Sequence, residues 1–251
     1  MKVGLFVTCV ADVVAPDAAV AAVRVLRAAG HDVSVPRDQT CCGQPAWNAG
    51  FAEEAAQVAR TTLASLDQAL DAGVDRIVGL AGSCTAMVRV FWPELFEVVG
   101  DHDAGARARA VGARVTEFSE FLADEGLPEA ARRPPDAASP RVAYHHSCHM
   151  LRELRIKQQP EAVLDAVGCE RMRWSADDRC CGFGGTFSIK LPETSTAMAD
   201  DKLRSIEESG AEVLVGADTS CLLHLAARAE HEGRPVVAKH IAEVVAESMD
   251  R

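Results

Sequence analysis

Eight of the nine cysteines in this chain fall into two copies of one pattern. Each copy has a lone cysteine, a Cys-Cys-Gly triplet 32 positions later, and a closing cysteine 42 or 40 positions beyond the pair. Repeated thiols in a chain without secretory features usually bind metal or carry out redox chemistry. The candidate ligands are Cys9, Cys41, Cys42 and Cys84 in the first copy, and Cys148, Cys180, Cys181 and Cys221 in the second.

The pattern favours an iron–sulfur cluster over two alternatives. Four thiolates per copy is the ligand number of such a cluster, and Gly43 and Gly182 supply the sharp turn that lets adjacent sulfurs reach one cofactor. Structural zinc sites usually draw their ligands from two short turns instead, and free cysteines often only pack in a core. Both alternatives stay open. We expect Cys169, which lies outside the pattern, to be such a core residue.

The elements around the cysteines alternate between strand and helix in both halves of the chain. This alternation predicts an α/β fold of two related, doubly wound parallel-sheet domains, derived from an internal repeat. We place the domains at residues 1–130 and 141–251, with a proline-containing linker at 131–140. The expected strands are Val3–Thr8, Asp32–Val35, Arg76–Leu80, Val142–His145, Cys169–Trp174 and Glu212–Gly216.

Strand order also predicts where the thiols gather. In an open parallel sheet, ligands bind beyond the carboxyl ends of the strands. In each half, one cysteine follows the first strand, the adjacent pair follows the second, and the closing cysteine follows the third. We therefore expect each set of four sulfurs to lie at the carboxyl edge of its own sheet.

Composition limits the other partners. The net charge is −11, from 26 basic and 37 acidic residues, and no basic cluster suits a phosphate backbone, so nucleic acid is not predicted as a partner. The apolar run Met1–Val7 is too short for a signal sequence or a membrane span, which favours a cytoplasmic protein. No Gly-x-Gly-x-x-Gly motif opens a helix after the first strand, so flavin or nicotinamide binding is not predicted.

The doubled Cys-Cys-Gly pattern resembles the CCG cysteine-rich domain found in heterodisulfide reductase and in the iron–sulfur component of glycolate oxidase. The stretches Asp38–Ala46, Ser147–Leu154 and Cys180–Ser188 are still more similar to the lactate utilization A family, and this resemblance covers the whole chain. It implies one or two iron–sulfur clusters, of the [4Fe-4S] type, held by the eight cysteines. It also implies a part in oxidising L-lactate to pyruvate, with lactate utilization proteins B and C as partners.

The heterodisulfide reductase pattern has a fifth cysteine at the end of each motif, and this chain lacks it in both copies. Met87 and His224 stand at that position here. A thioether is a weak ligand, whereas the imidazole of His224 could bind iron. If only one domain holds a cluster, the sequence favours the second. Its glycine-rich turn and four histidines, His145, His146, His149 and His224, offer additional donors.

Iron–sulfur clusters pass single electrons, whereas lactate oxidation removes two electrons and a proton from C2. The sequence therefore predicts an electron-transfer subunit of an oxidoreductase complex more than a complete enzyme. Two alternatives stay open, namely a thiol/disulfide-active subunit of the heterodisulfide reductase type and a non-enzymatic, redox-sensing metal scaffold. Arg152, Arg155 and Lys190 could hold a substrate carboxylate or could be ordinary surface charges.

Overall fold

The chain forms two four-stranded sheets in which all neighbouring strands are parallel. A computed structural model describes residues 1–134, 136, 139–234 and 236–251. The strands are β1 (Lys2–Phe6), β2 (Asp32–Ser34), β3 (Arg76–Gly79), β4 (Val115–Glu117), β5 (Arg141–His145), β6 (Glu170–Arg171), β7 (Val213–Gly216) and β8 (Val237–His240). The strand orders are β2-β1-β3-β4 and β6-β5-β7-β8. The predicted α/β fold with two related sheets is confirmed.

Helices connect the strands and flank both sheets. They are α1 (Cys9–Val14), α2 (Pro16–Ala28), α3 (Gln44–Asn48), α4 (Ala52–Asp71), α5 (Gly82–Ala86), α6 (Trp92–Val98), α7 (His102–Gly112), α8 (Phe118–Glu125), α9 (Gln158–Ala166), α10 (Thr186–Lys190), α11 (Pro192–Ser209), α12 (Thr219–His231) and α13 (Ile241–Met249). Short π-helical turns cover Met87–Phe91 and Met150–Leu154, and a 3₁₀ turn covers Glu129–Ala131. Across the described ranges, no helix has the length and apolar character needed to cross a bilayer.

The two sheets correspond strand for strand. Phe6 ends β1 opposite Gly79 of β3, and His145 ends β5 opposite Gly216 of β7. In each sheet the chain leaves the first strand to one side and returns on the other, which places a topological switch point between β1 and β3 and between β5 and β7. Ligand crevices in open α/β sheets form at such points.

Three hydrophobic cores hold these layers together. One lies within the first half and packs α4, α6 and α7 on one face of the first sheet. A second lies within the second half, between α11, α12 and the second sheet. The third contains residues of both halves, including Leu5, Phe118, Tyr144 and Val245. The inner faces of the two sheets therefore share one core.

The shared core is built by exchange of the last helix of each half. Helix α13 packs on α2 of the first half, and α8 packs on α9 of the second. The start of the segment between the halves is fixed to α13. Ala131 is buried, and Arg133 donates a hydrogen bond to the Ser248 carbonyl at 2.8 Å. Pro135, Ala137 and Ala138 of the predicted linker lie outside the described residues, and the domain boundaries stay a prediction.

Strand β6 is shorter than expected. The sequence predicted a strand over Cys169–Trp174, but only Glu170–Arg171 has this conformation. Beyond this strand the Trp174 indole donates a hydrogen bond to the Tyr144 carbonyl of β5 at 3.2 Å, so a side chain makes the contact with β5 at this point. Cys169 is buried in the shared core, as predicted.

Candidate metal centre

All eight patterned cysteines line one cavity. The carboxyl edges of the two sheets face each other across a cavity with a volume of about 130 Å³. The gathering of each set at its sheet edge was predicted, whereas the joining of the two sets in one cavity was not.

The first set lies on two short helices and one loop. Cys9 begins α1 directly after Thr8, whose φ of 73° is unusual for a β-branched residue and indicates local strain. Cys41 and Cys42 precede α3, and Cys84 lies in α5. The sulfurs of Cys42 and Cys84 are 3.3 Å apart, well beyond the length of about 2.05 Å for a disulfide. These are reduced thiols in contact.

The second set repeats this arrangement. Cys148 follows β5, the adjacent pair Cys180 and Cys181 precedes α10, and Cys221 lies in the first turn of α12. The side chain of Cys180 contacts Cys148 and Cys181, and Cys181 also contacts Cys221. Each half therefore presents a continuous chain of four sulfurs to the cavity.

The predicted glycine turns are present after both cysteine pairs. Gly43 has a φ of 87° and Gly182 a φ of 93°, values that favour glycine. Each glycine N–H donates to the first sulfur of its pair at 3.4 Å. A Cβ atom at either position would lie 2.6 Å from a helix carbonyl oxygen, of Ala55 or Ser195. The turn thus requires glycine on two separate grounds.

Hydrogen bonds among the thiols shift their pKa values in opposite directions within each set. Hydrogen bonds from Cys42 and from Cys9 lower the pKa of Cys41 to about 2. The corresponding bond from Cys148 lowers the pKa of Cys180 to about 2. The pKa values of Cys9 and Cys148 are raised because they donate to these thiolates. Metal binding to these cysteines would release the protons of the thiols.

Hydrogen bonds across the cavity tie the two halves together. Gln44 follows the first glycine turn, and its side-chain nitrogen lies 2.9 Å from the Ser83 carbonyl and 3.2 Å from His149 Nε2. His149 Nδ1 in turn lies 2.9 Å from a Glu153 oxygen. Because Gln44 donates to Nε2, the neutral imidazole carries its proton on Nδ1 and donates it to Glu153. The loops that carry the two cysteine sets are therefore positioned relative to each other.

Asp218 provides a second bond between the halves. Its buried carboxylate accepts a hydrogen bond from the Ser83 N–H at 2.8 Å. The Asp218→Ala variant leaves that N–H without a partner, and we expect a loss of about 1–3 kcal/mol in the free energy of unfolding, measured by urea denaturation. Asp250→Ala, which breaks an exposed ion pair with Arg24, is the control and is expected to change stability by less than about 1 kcal/mol. Equal losses in both variants would contradict a structural role for Asp218.

The other residues suggested by the sequence lie in different surroundings. Met87 is buried in the core of the first half. His224 Nε2 lies 3.3 Å from the Ser195 hydroxyl, and His146 pairs with Glu161 at 3.1 Å. Among the described residues that line the cavity, none of these three is present. A ligand role for His224 stays a prediction.

The predicted carboxylate-binding cations do not meet at the thiols. Arg152, Arg155 and Lys190 are exposed, and none of them is among the described residues that line the cavity. Lys190 instead lies over the ring of Phe51. The surface-charge interpretation of these residues is the one that the structure favours.

Two buried residues lie beside the second set, namely His145, one of the four histidines that the sequence offered as additional donors, and Lys202, which the sequence did not indicate. A ring nitrogen of His145 lies within 4.8 Å of the sulfurs of both Cys181 and Cys221. Lys202 is fully buried and donates to the carbonyl of Arg179 at 2.7 Å. Burial lowers the pKa of Lys202 to about 8, opposed by the nearby Cys181. The structurally equivalent positions of the first half hold Phe6 and Thr62, so comparison of the two halves distinguishes both residues.

The donor set suits a metal centre of soft ligands. Thiolates bind zinc, copper(I) and iron–sulfur clusters, whereas hard cations such as magnesium prefer oxygen. The eight thiols converge on one cavity, with a buried imidazole against the second set. The residues present therefore fit a thiolate-bound metal or an iron–sulfur cofactor.

The family comparison agrees with this site. The CCG cysteine-rich domain matches residues 3–89 and 142–226, two stretches that contain all eight patterned cysteines. Each stretch starts on the central strand of its sheet and extends past the closing cysteine. The chain therefore belongs to the CCG cysteine-rich domain family, as the sequence predicted.

Named relatives align with nearly the whole chain. The lactate utilization protein A of an Exiguobacterium species is 42% identical over 251 residues, covering 99% of this chain and 98% of the relative. Lactate utilization protein A 1 of Bacillus mycoides is 38% identical, covering 98% and 97%. The predicted resemblance is confirmed. Among solved structures, an aspartate racemase homologue from Pyrococcus horikoshii OT3 covers 99% of this chain and 97% of its own at 11% identity and a TM-score of 0.35. A similarity this low supports no argument.

Proposed function

We propose that this protein is an iron–sulfur electron-transfer subunit of a cytoplasmic complex that oxidises L-lactate to pyruvate. The observation that carries the proposal is the convergence of two sets of four thiols on one cavity. The names of its relatives supply the substrate. The eight patterned cysteines would hold one or two [4Fe-4S] clusters.

The electron count supports a relay. Oxidation of lactate to pyruvate releases two electrons and two protons, whereas an iron–sulfur cluster exchanges one electron at a time. Two clusters in one cavity would together accept the two electrons from one substrate molecule. When bound, the clusters would supply the redox chemistry, and this chain's residues would hold them, limit water around them and fix their spacing.

The protein's own contribution is positioning. The glycine turns bring adjacent sulfurs to one cofactor, and the N–H groups of Gly43 and Gly182 point at cysteine sulfur. Hydrogen bonds to sulfur stabilise the thiolate form and tune the potential of a bound cluster. Gln44 and His149 keep the two sets at a fixed separation. Lactate utilization proteins B and C are the partners we propose for hydride handling and for onward electron transfer.

Anaerobic reconstitution with iron and sulfide tests the cluster assignment. We expect about four iron and four sulfide ions for each cluster formed. Cys41→Ser and Cys180→Ser should each remove the EPR signal of one set, because serine oxygen is a poor ligand for these soft sites. Cys169→Ala is the control, because this buried cysteine belongs to neither set, and it should keep the iron content of the wild type.

The outcomes separate the candidate functions. Fewer than about two irons per chain after reconstitution would reject the cluster and favour zinc or a redox-sensing thiol scaffold. An EPR spectrum unchanged in both serine variants would reject the ligand assignment. Anaerobic pull-down followed by lactate-dependent dye reduction tests the complex. Reduction of a disulfide substrate by the dithionite-reduced protein, without lactate, would favour the heterodisulfide reductase type instead.

A further inference from the structure

We propose that His145 is a ligand of the metal centre in the second half, beside Cys181 and Cys221, so that the two centres have different donor sets. The first centre would be held by sulfur alone, and the second by sulfur with one imidazole nitrogen. This inference rests on the proposed function. It concerns which residues of this chain bind the cofactor.

Distance and burial carry the first step. One ring nitrogen of His145 and the sulfurs of Cys181 and Cys221 all lie within 4.8 Å of one another, and all three residues are buried. Because metal–nitrogen and metal–sulfur bonds are about 2.0–2.3 Å long in zinc sites, ligand atoms this close together can bind one metal centre. No other group of three or more potential ligands with this spacing occurs among the described residues.

The His145 imidazole is also buried without a well-formed hydrogen bond. His145 is only 1% exposed, yet neither ring nitrogen makes a hydrogen bond of normal geometry with any residue that the structure describes. Leaving a buried polar group unpaired costs about 1–3 kcal/mol. A neutral imidazole has one ring nitrogen with a lone pair that can bind a metal.

The surroundings match those of a ligating histidine. Such a residue usually gives its second ring N–H to a carbonyl or carboxylate, which orients the ring. The backbone of Asp177 lies beside the His145 ring. The Asp177 carbonyl already accepts the His146 N–H at 3.1 Å, which fixes its position.

The repeat supplies an internal comparison. Phe6 stands at the position equivalent to His145 and packs in the same core as Cys42. An aromatic side chain of similar size therefore satisfies the fold at this position, and packing alone does not require a histidine. His224, the other candidate, already has a hydroxyl partner in Ser195.

Pulsed EPR on the full-length reconstituted protein tests the assignment. After anaerobic loading with iron and sulfide and reduction with dithionite, we expect a nitrogen hyperfine coupling that changes when the protein is labelled with ¹⁵N-histidine. His145→Phe, which installs the first-half residue, should abolish this coupling. It should also lower the midpoint potential by at least about 59 mV, a tenfold change in the one-electron equilibrium constant, because imidazole ligands raise cluster potentials relative to thiolates.

His224→Met, which installs the first-half residue at the other candidate position, is the matched control and should keep the coupling. The isotope measurement on wild-type protein does not depend on either variant folding. A loaded protein without a histidine coupling overturns this inference alone, as does a coupling that survives in His145→Phe. Failure to take up iron and sulfide overturns the proposed function and the inference with it.

Discussion

Gly43→Ala is expected to destabilise the protein by about 2–5 kcal/mol and to prevent the first cysteine set from closing. An alanine at its φ of 87° pays roughly 1–2 kcal/mol for the left-handed conformation. Its Cβ would also lie 2.6 Å from the Ala55 carbonyl oxygen, on the backbone of α4. Because a helix backbone does not rotate away as a side chain does, the turn must open, at about 1–3 kcal/mol more.

The Gly50→Ala variant separates the free-energy cost of the left-handed conformation from the cost of the steric clash. Gly50 has nearly the same φ, 85°, but a Cβ there meets nothing within 4 Å among the described residues. We expect a loss of only about 1–2 kcal/mol and unchanged iron content in this control. Urea denaturation and iron analysis of both variants decide the matter. If the two variants lose the same stability and both bind iron normally, the close approach to Ala55 has no consequence.

The sequence was sufficient to predict the position of the cysteines within each half. Hydrophobic strands followed by helical periodicity predicted parallel sheets, and the carboxyl-edge rule then placed Cys9 and Cys84 together at the edge of the first sheet. The double glycine turn was also predictable, because adjacent sulfurs can reach one cofactor only through a sharp bend. Local geometry determines these features, and local geometry is what a single sequence reveals.

The meeting of the two edges depends on packing between distant segments. Helix α13 of the second half packs on α2 of the first, and α8 of the first half packs on α9 of the second. The last helix of each half therefore packs against the other half. The apolar periodicity of Ile241–Met249 predicts a buried face but does not identify the helix against which it packs. The relative orientation of the sheets, and with it the single cavity, was therefore beyond the sequence.

The two repeats differ at positions next to their equivalent cysteines. Phe6 and Thr62 of the first half correspond to His145 and Lys202 of the second. Both replacements add nitrogen close to the second set of sulfurs, and Lys202 also adds a buried cation. Because positive charge stabilises the reduced, more negative state of a cluster, Lys202 would favour the second centre as the electron acceptor if both halves hold the proposed clusters.

The residues that cap α8 and α13 also differ between the two halves. Glu117 caps α8 and His240 caps α13, and each accepts a backbone N–H of its helix. His240 is satisfied on both sides, because Nε2 also lies 2.8 Å from the Leu80 carbonyl. In Glu117, Oε2 accepts the N–H groups of Ser119 and Glu120, while Oε1 has no partner among the described residues. Burial raises the pKa of Glu117 to about 7.

Glu117→Gln is therefore expected to remove a pH-dependent loss of stability. In the unfolded chain this carboxyl ionises near pH 4.5, and in the folded protein near pH 7. Between these values the folded state binds more protons, so the free energy of unfolding falls as pH rises, by about 3 kcal/mol in total. Glutamine keeps an acceptor for the helix N–H groups but cannot ionise. Between pH 4.5 and pH 8, urea denaturation should show that the free energy of unfolding of the wild type falls by about 3 kcal/mol relative to that of Glu117→Gln. The control is Glu94→Gln, at an exposed position, which should show no comparable change relative to the wild type. A constant difference between wild type and Glu117→Gln across this range would mean that the buried carboxyl is already ionised at pH 4.5.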